Sequence, residues 1–216
     1  MLVGGCGAPS AGADPETAVR TVLSLCRQRE YRGVVLDLEQ PPTSWSSRLI
    51  RRLEQGLAGL GRALFLPERY SRFSSRAYLF FSSSLSGGSF ARRMDEMAAQ
   101  YGANRLVLSL RRISEVFPLP AGTGQGEPLT WEALQAHMRR LEPHVFFSRD
   151  LCAHYFTYLS RSEGPRFVLF DTAESLRRKR DLAEKAGITR FFYLYPELKD
   201  LLPAILGKDG TGSAGD

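Results

Sequence analysis

Short apolar runs rich in β-branched and aromatic residues alternate along the chain with segments of helical length, and this alternation constrains the fold most. "MLVGG" at the start, then "GVVLDLE" (33–39), "RALFLPE" (62–68), "RAYLFFS" (76–82), "NRLVLSL" (104–110) and "RFFYLYPE" (190–197) read as strands. Between them, Asp14-Pro15-Glu16 supplies a cap, a first-turn proline and an acid for a helix carrying Val19, Val22, Leu23 and Cys26. Ser44 or Ser46 opens the next helix, with Leu49, Ile50, Leu53, Leu57 and Leu60 on its apolar stripe. "SFARRMDEMAAQYG" is a helix closed by Gly102, "LTWEALQAHMRRLE" another, and Thr172 caps "AESLRRKRDLAEKAG", which ends at Gly187. Helix-length crossovers between continuously apolar strands imply βα units and a parallel sheet covered on both faces. An open doubly wound sheet and a (β/α) barrel both satisfy the pattern. "VGGCGAPSAG" after the first strand lacks the glycine spacing of nucleotide-binding loops, which weighs against a nucleotide-binding open sheet.

One interruption stands out. "HYFTYL" and "RFVLF" flank "SRSEGP" and predict a β-hairpin near residues 154–171. Residues 120–128 are rich in Gly and Pro and read as a loop. Residues 207–216 carry almost no apolar side chain and predict a disordered tail after a single domain over 1–206.

The chain of 216 residues is 43% hydrophobic and 24% charged, ordinary for a globular protein. It holds no apolar run near the roughly 18 residues that span a bilayer. Its net charge is +6; the basic residues are nearly all arginines, which recur as pairs on separate predicted helices, Arg51-Arg52, Arg92-Arg93 and Arg139-Arg140. Such scattered pairs read as solvated faces, so no nucleic acid partner is expected. Three cysteines, Cys6, Cys26 and Cys152, share no metal-ligand spacing and make an odd count, so neither a metal site nor a disulfide framework is expected. His137, His144 and His154 have no nucleophile or ligand partner at useful spacing and read as structural.

The chemistry concentrates in "YRGVVLDLEQPP" (31–42). In a strand, residues i and i+2 share a face, roughly 6.6 Å apart. Val35, Asp37 and Glu39 therefore point one way, and Leu36 and Leu38 the other. Both acids fall at the carboxyl end of the strand, where (β/α) barrels hold their active sites. Two adjacent carboxyls disfavour each other's ionisation, which suits one of them to donate a proton near neutral pH. Glu39 has the longer reach and is the candidate acid; Asp37 is the candidate orienting group.

This stretch resembles the fourth-strand signature of family 18 glycoside hydrolases, an aromatic followed by D-G-x-D-x-D-x-E. Tyr31, Gly33, Asp37 and Glu39 match it, while Arg32 and Val35 stand where the signature has acids. "MLVGG" looks like the end of the third strand, with Leu2 in place of a serine. "RALFLPERY" and "NRLVLSL" lie where the fifth and seventh strands belong. "RFVLFDTAESLRRKRDLAEKAGITRFFYLY" is similar to the closing segment of bacterial members acting on spore or cell-wall peptidoglycan, with Ser175 and Lys179 at the matching spacing. The resemblance implies a (β/α)8-type barrel of about six βα units, lacking the first two. It implies an oligosaccharide or peptidoglycan substrate, no cofactor, no metal, and a cell-wall, spore or secreted setting, although no export signal is written in the chain. It further implies a substrate-assisted retaining hydrolysis, with Glu39 as acid and then base, and Asp37 orienting the substrate's acetamido group. Phe80, Phe81 and Ser82 occupy the sixth-strand positions that normally help hold that group, leaving Ser82 as a polar contact. Leu194 stands where a tryptophan lies beneath the sugar, with Tyr193 and Tyr195 on either side as candidate aromatic platforms. A barrel that binds glycan or a protein partner without turnover is the alternative.

Overall fold

The computed structural model describes residues 1–5, 14–120 and 126–207. Cys6, most of the Gly/Pro-rich loop and residues 208–216 of the expected tail lie outside them. The parallel strands are β1 (Leu2–Gly5), β2 (Gly33–Leu38), β3 (Ala63–Pro67), β4 (Tyr78–Ser82) and β5 (Leu106–Leu110). An antiparallel group follows: β6 (Ser114–Pro118), β7 (Glu127–Pro128), β8 (Phe146–Ser148), β9 (Ala153–Ser160) and β10 (Gly164–Phe170). Finally β11 (Phe191–Tyr193) returns to the first sheet, whose order is β1-β2-β3-β4-β5-β11. Six parallel strands in this order, alternating with helices, make part of a (β/α)8-type barrel, the fold class expected from the sequence.

The helices are α1 (Pro15–Gln28), α2 (Ser44–Ala58), α3 (Phe90–Tyr101), α4 (Trp131–Leu141) and α5 (Ala173–Lys185), with short α6 (Tyr195–Leu198) and α7 (Leu202–Ile205) near the end. Asp14 caps α1 by accepting from the Glu16 amide at 3.3 Å, as expected. For α2 the cap is Thr43, one residue before Ser44 and three before Ser46. Ser46 sits at the third helical position instead, and its hydroxyl oxygen accepts in return from the Thr43 amide at 2.8 Å. Serine thus takes the part usually played by Glu in a capping box. Thr172 and Ser175 repeat the arrangement at α5. Gly102 and Gly187 end α3 and α5 at φ near +82° and +83°, where a side chain would be strained.

The chain divides into two compact units, Met1–Phe81 with Asn104–Val107, and Ser82–Ala103 with Leu108–Asp216. In the first, Val34, Leu36, Leu64, Leu66 and Leu79 are buried, as are Val19, Val22 and Cys26 of α1 and Leu49, Ile50, Leu53 and Leu57 of α2. Their spacing of two along strands and three to four along helices buries one strand face beneath the helix stripes.

The second unit departs most from the sequence reading. The expected hairpin is there, β9 pairing with β10 from Gly164 opposite Ser160 to Phe170 opposite His154. It is the centre of a five-stranded antiparallel sheet ordered β7-β6-β10-β9-β8. Val116, Phe156, Val168 and Phe170 form one core cluster with Leu134 of α4; Ile113, Phe117, Ala153 and Leu169 form another. His154 lies on β9 with Ala153 and Phe156, its Nδ1 3.4 Å from the Thr172 hydroxyl, and burial lowers its pKa. Cys26 and Cys152 are both buried free thiols, and the Cys152 thiol donates to the Ser175 carbonyl at 3.8 Å.

A charged knot closes this unit. Lys179 and Asp171 are wholly buried. The Lys179 ammonium donates to both Asp171 carboxylate oxygens at 2.9 and 2.8 Å, and Asp171 also accepts from the Ser175 hydroxyl at 2.7 Å and the Ile113 amide at 3.1 Å. Removing one partner of such a pair leaves a buried charge without compensation. Lys179→Met is expected to cost about 3–5 kcal/mol of stability in denaturant titration, with the Asp171→Asn/Lys179→Met double variant recovering part of the loss.

Candidate functional site

The strand alternation read from the sequence is realised in β2. Val34 and Leu36 are buried on one side; Val35 is half-buried and Asp37 exposed on the other. Gly33 is required here because a Cβ at that position would come within 2.8 Å of the Ala63 carbonyl oxygen on β3. Strand register places Val35 between Leu2 and Phe65, and Phe65 opposite Tyr78, with which it stacks at a centroid distance of 5.0 Å. Gly4 lies opposite Asp37. Since Gly4 has no side chain, the ground beside the carboxylate stays clear. One face of the first unit therefore presents Asp37 above an apolar, partly aromatic row.

Glu39 follows the last strand residue and is exposed. Its backbone is gripped from both sides. The Arg69 guanidinium donates to the Leu38 carbonyl, and the Tyr70 hydroxyl donates to the Gln40 carbonyl. Both donors come from the 3₁₀ turn Glu68–Phe73 that follows β3. Tyr70 is buried, and the Arg69 guanidinium lies 5.7 Å from its ring centroid. Among the described residues, neither Asp37 nor Glu39 has a hydrogen-bond or ion-pair partner for its side chain. The positioning roles of Arg69 and Tyr70 were not read from the sequence. Their signal was "PERY" directly after a strand, but their targets are carbonyls about thirty residues earlier.

A cavity of about 360 Å³ adjoins Glu39, walled chiefly by Leu36 and Leu38 of β2, Val22 of α1, Trp45 and Leu49 of α2, and Tyr70. It lies on the helix-covered side of β2. Asp37 does not line it, so the two acids look onto different surroundings: Glu39 borders this hollow, and Asp37 stands on the opposite strand face.

The other expected contacts belong to the second unit. Ser82 ends β4, half-buried, and its hydroxyl oxygen accepts from the Ser84 amide at 3.0 Å, tying it into a local turn. Tyr193 ends β11, half-buried. Burial raises its phenol pKa, while the positive charge of Arg180 on α5 pulls the other way. Tyr195 is 64% exposed and opens α6 rather than continuing the strand; Leu194 is the residue before that helix. Among the described residues, no group of three or more His, Cys, Asp or Glu is placed to hold a metal ion, and no helix is long and apolar enough to cross a membrane.

No family model and no curated protein sequence matches the chain. Solved structures do. A chitinase from Chromobacterium violaceum aligns over 97% of this chain and 79% of its own, with a TM-score of 0.69 at 16% identity. A family 18 chitinase from Cycas revoluta aligns over 96% and 79%, with a TM-score of 0.64 at 16% identity. The spore cortex-lytic enzyme SleL from Bacillus megaterium aligns over 90% of this chain but 55% of its own, with a TM-score of 0.66 at 12% identity. The chain thus has the fold of these enzymes and spans little more than half of the last. At such identities the likeness concerns fold alone.

Because the Glu39 side chain takes no part in folding contacts, Glu39→Gln is expected to move the melting temperature by less than about 2 °C. Tyr70→Phe removes a hydroxyl donor to a strand-end carbonyl and is expected to lower it measurably more in the same calorimetric scan.

Proposed function

We propose that this protein is a glycoside hydrolase that cleaves β-1,4 bonds of N-acetylglucosamine-containing glycans, chitin-like or peptidoglycan, with substrate assistance. The observation that carries the reading is the placement of Glu39. It has an unpaired carboxyl at the carboxyl end of a parallel strand, on a backbone clamped by Arg69 and Tyr70. Its surroundings are those of a fold shared with chitinases and a cortex-lytic enzyme. A proton donor must be held firmly by its backbone while its side chain stays uncommitted.

In this reading the Glu39 carboxyl protonates the glycosidic oxygen as the bond to the anomeric carbon breaks. The acetamido carbonyl oxygen of the same sugar attacks that carbon from the other face, closing an oxazolinium ring. A sugar lying over the exposed end of β2, outside the hollow beside Glu39, brings its acetamido N–H to Asp37, which accepts it, orients the carbonyl and balances the positive charge that develops. The leaving glycan departs with the proton. Glu39, now a carboxylate, takes a proton from water as the water oxygen attacks the anomeric carbon and reopens the ring. Configuration is retained after two inversions, and no group outside protein, substrate and water takes part.

A second reading, glycan binding without turnover, is favoured by Val35. It shares the face of Asp37 where an acid would let the two share a proton. Release of product from a fluorogenic chitobioside or from purified cortex peptidoglycan decides between them. The hydrolase reading expects turnover by the wild type and a loss of at least about 100-fold in Glu39→Gln. Saturable binding of the same glycans with no product from the wild type would establish the second reading instead.

A further inference from the structure

We propose that the second unit carries its own binding site for a neutral saccharide, in the hollow between β6, the start of α4 and α6. The hollow measures about 650 Å³, within the size range of small-molecule sites. Two of its lining groups are polar atoms buried without any hydrogen-bond partner among the described residues: Nη2 of Arg112 and Oγ of Ser114. The Arg112 side chain is only 10% exposed. Its guanidinium is held in place on two sides, by Asp200, which accepts from Nη1 at 3.1 Å, and by the Trp131 ring, whose centroid lies 3.8 Å from the guanidinium carbon. A rigid fork with one prong satisfied and the other not is a group positioned for a ligand acceptor. Ser114 adds a hydroxyl that both donates and accepts.

The charge of the lining selects the ligand class. Arg112 and Lys199 stand against Glu132, Glu197 and Asp200. Asp200 is already matched to Arg112, and Glu197 to Arg111 at 2.6 Å. An anion drawn to Arg112 would meet these carboxylates at close range, and a cation drawn to the carboxylates would meet Arg112. A neutral molecule with several hydroxyls has neither conflict. Its oxygens accept from Arg112 and Lys199, and its hydroxyl hydrogens go to Ser114 and Glu132. Trp131, still 39% exposed, with Pro128, Leu129 and Pro196, supplies apolar surface for the C–H face of a pyranose ring. The choice of N-acetylated sugars as ligand rests on the hydrolase reading above; the neutral polyhydroxyl chemistry does not.

Trp45 and Trp131 are the two tryptophans of the chain. In Trp45→Phe, emission therefore reports Trp131 alone. Titration of that variant with tetra-N-acetylchitotetraose is expected to give a saturable emission change whose midpoint rises at least about tenfold when Arg112→Met or Ser114→Ala is added. Ser114→Ala removes a single oxygen and keeps the test open should Arg112→Met fail to fold. The midpoint is expected to stay the same between about 0.05 and 0.5 M salt and in the Glu39→Gln background. Absence of a saturable change would overturn the proposal and leave a solvent-filled hollow. A change unaffected by both added substitutions would overturn it by placing binding elsewhere, and a midpoint that climbs steeply with salt would overturn it in favour of an anion. An inactive wild type that still gives the response refutes the hydrolase reading alone, and an active enzyme without it refutes this site alone.

Discussion

Asp171 and Lys179 meet where water is excluded, and the architecture of the second unit converges on that contact. Asp171 follows the last residue of β10, Lys179 lies two turns into α5, Ile113 immediately precedes β6, and the Lys179 ammonium lies 5.8 Å from the ring centroid of Phe90 at the head of α3. Bringing a lysine and an aspartate out of water is unfavourable, so the pair persists only because every oxygen and the ammonium find partners. Ser175 serves twice, closing the capping box of α5 and donating to Asp171. Helix start, strand end and ion pair thus form one hydrogen-bonded assembly. A displacement of any of these elements would strand a buried charge, which makes the arrangement a device for register as much as for stability.

The first unit uses a different device. Its strand β2 ends in polar sequence at the surface, where a backbone would ordinarily be free to wander. Arg69 and Tyr70 hold the carbonyls on either side of Glu39, so the turn after β3 sets the direction of the chain after β2. Rigidity is supplied to the main chain while the carboxylate is left without partners.

The parallel strands and long helices were legible because each is a continuous run with a clear period. Glycine stops at 102 and 187 and the Asp14 and Thr172 caps announced their own positions. The acids themselves were easy to single out, but not their common face: β2 stops at Leu38, so the strand alternation that orients Asp37 does not extend to Glu39, which borders the hollow beside Leu36 and Leu38. What escaped was built from distant pieces. "SEVFP" follows two arginines and ends in proline, so β6 carried little strand signal of its own. It exists because β10 pairs with it from Arg166 opposite Pro118 to Phe170 opposite Ser114. Strands β7 and β8, of two and three residues, are too short to show a period. The cap of α2 was missed because Ser44 and Ser46, themselves good cap residues, follow Thr43 within three positions. The orphaned Arg112 could not be foreseen either, because its isolation depends on where Asp200 and Trp131 come to rest.

The two free thiols among the described residues, Cys26 and Cys152, sit inside different units. Burial holds the Cys152 thiol above its ordinary pKa despite the nearby Lys179, which keeps it in the protonated, weakly nucleophilic form. Neither sulfur is offered to an oxidant or to a thiolate from another molecule. As far as these two positions decide the matter, the fold is indifferent to the redox poise of its surroundings and would keep its shape equally in a reducing or an oxidising milieu.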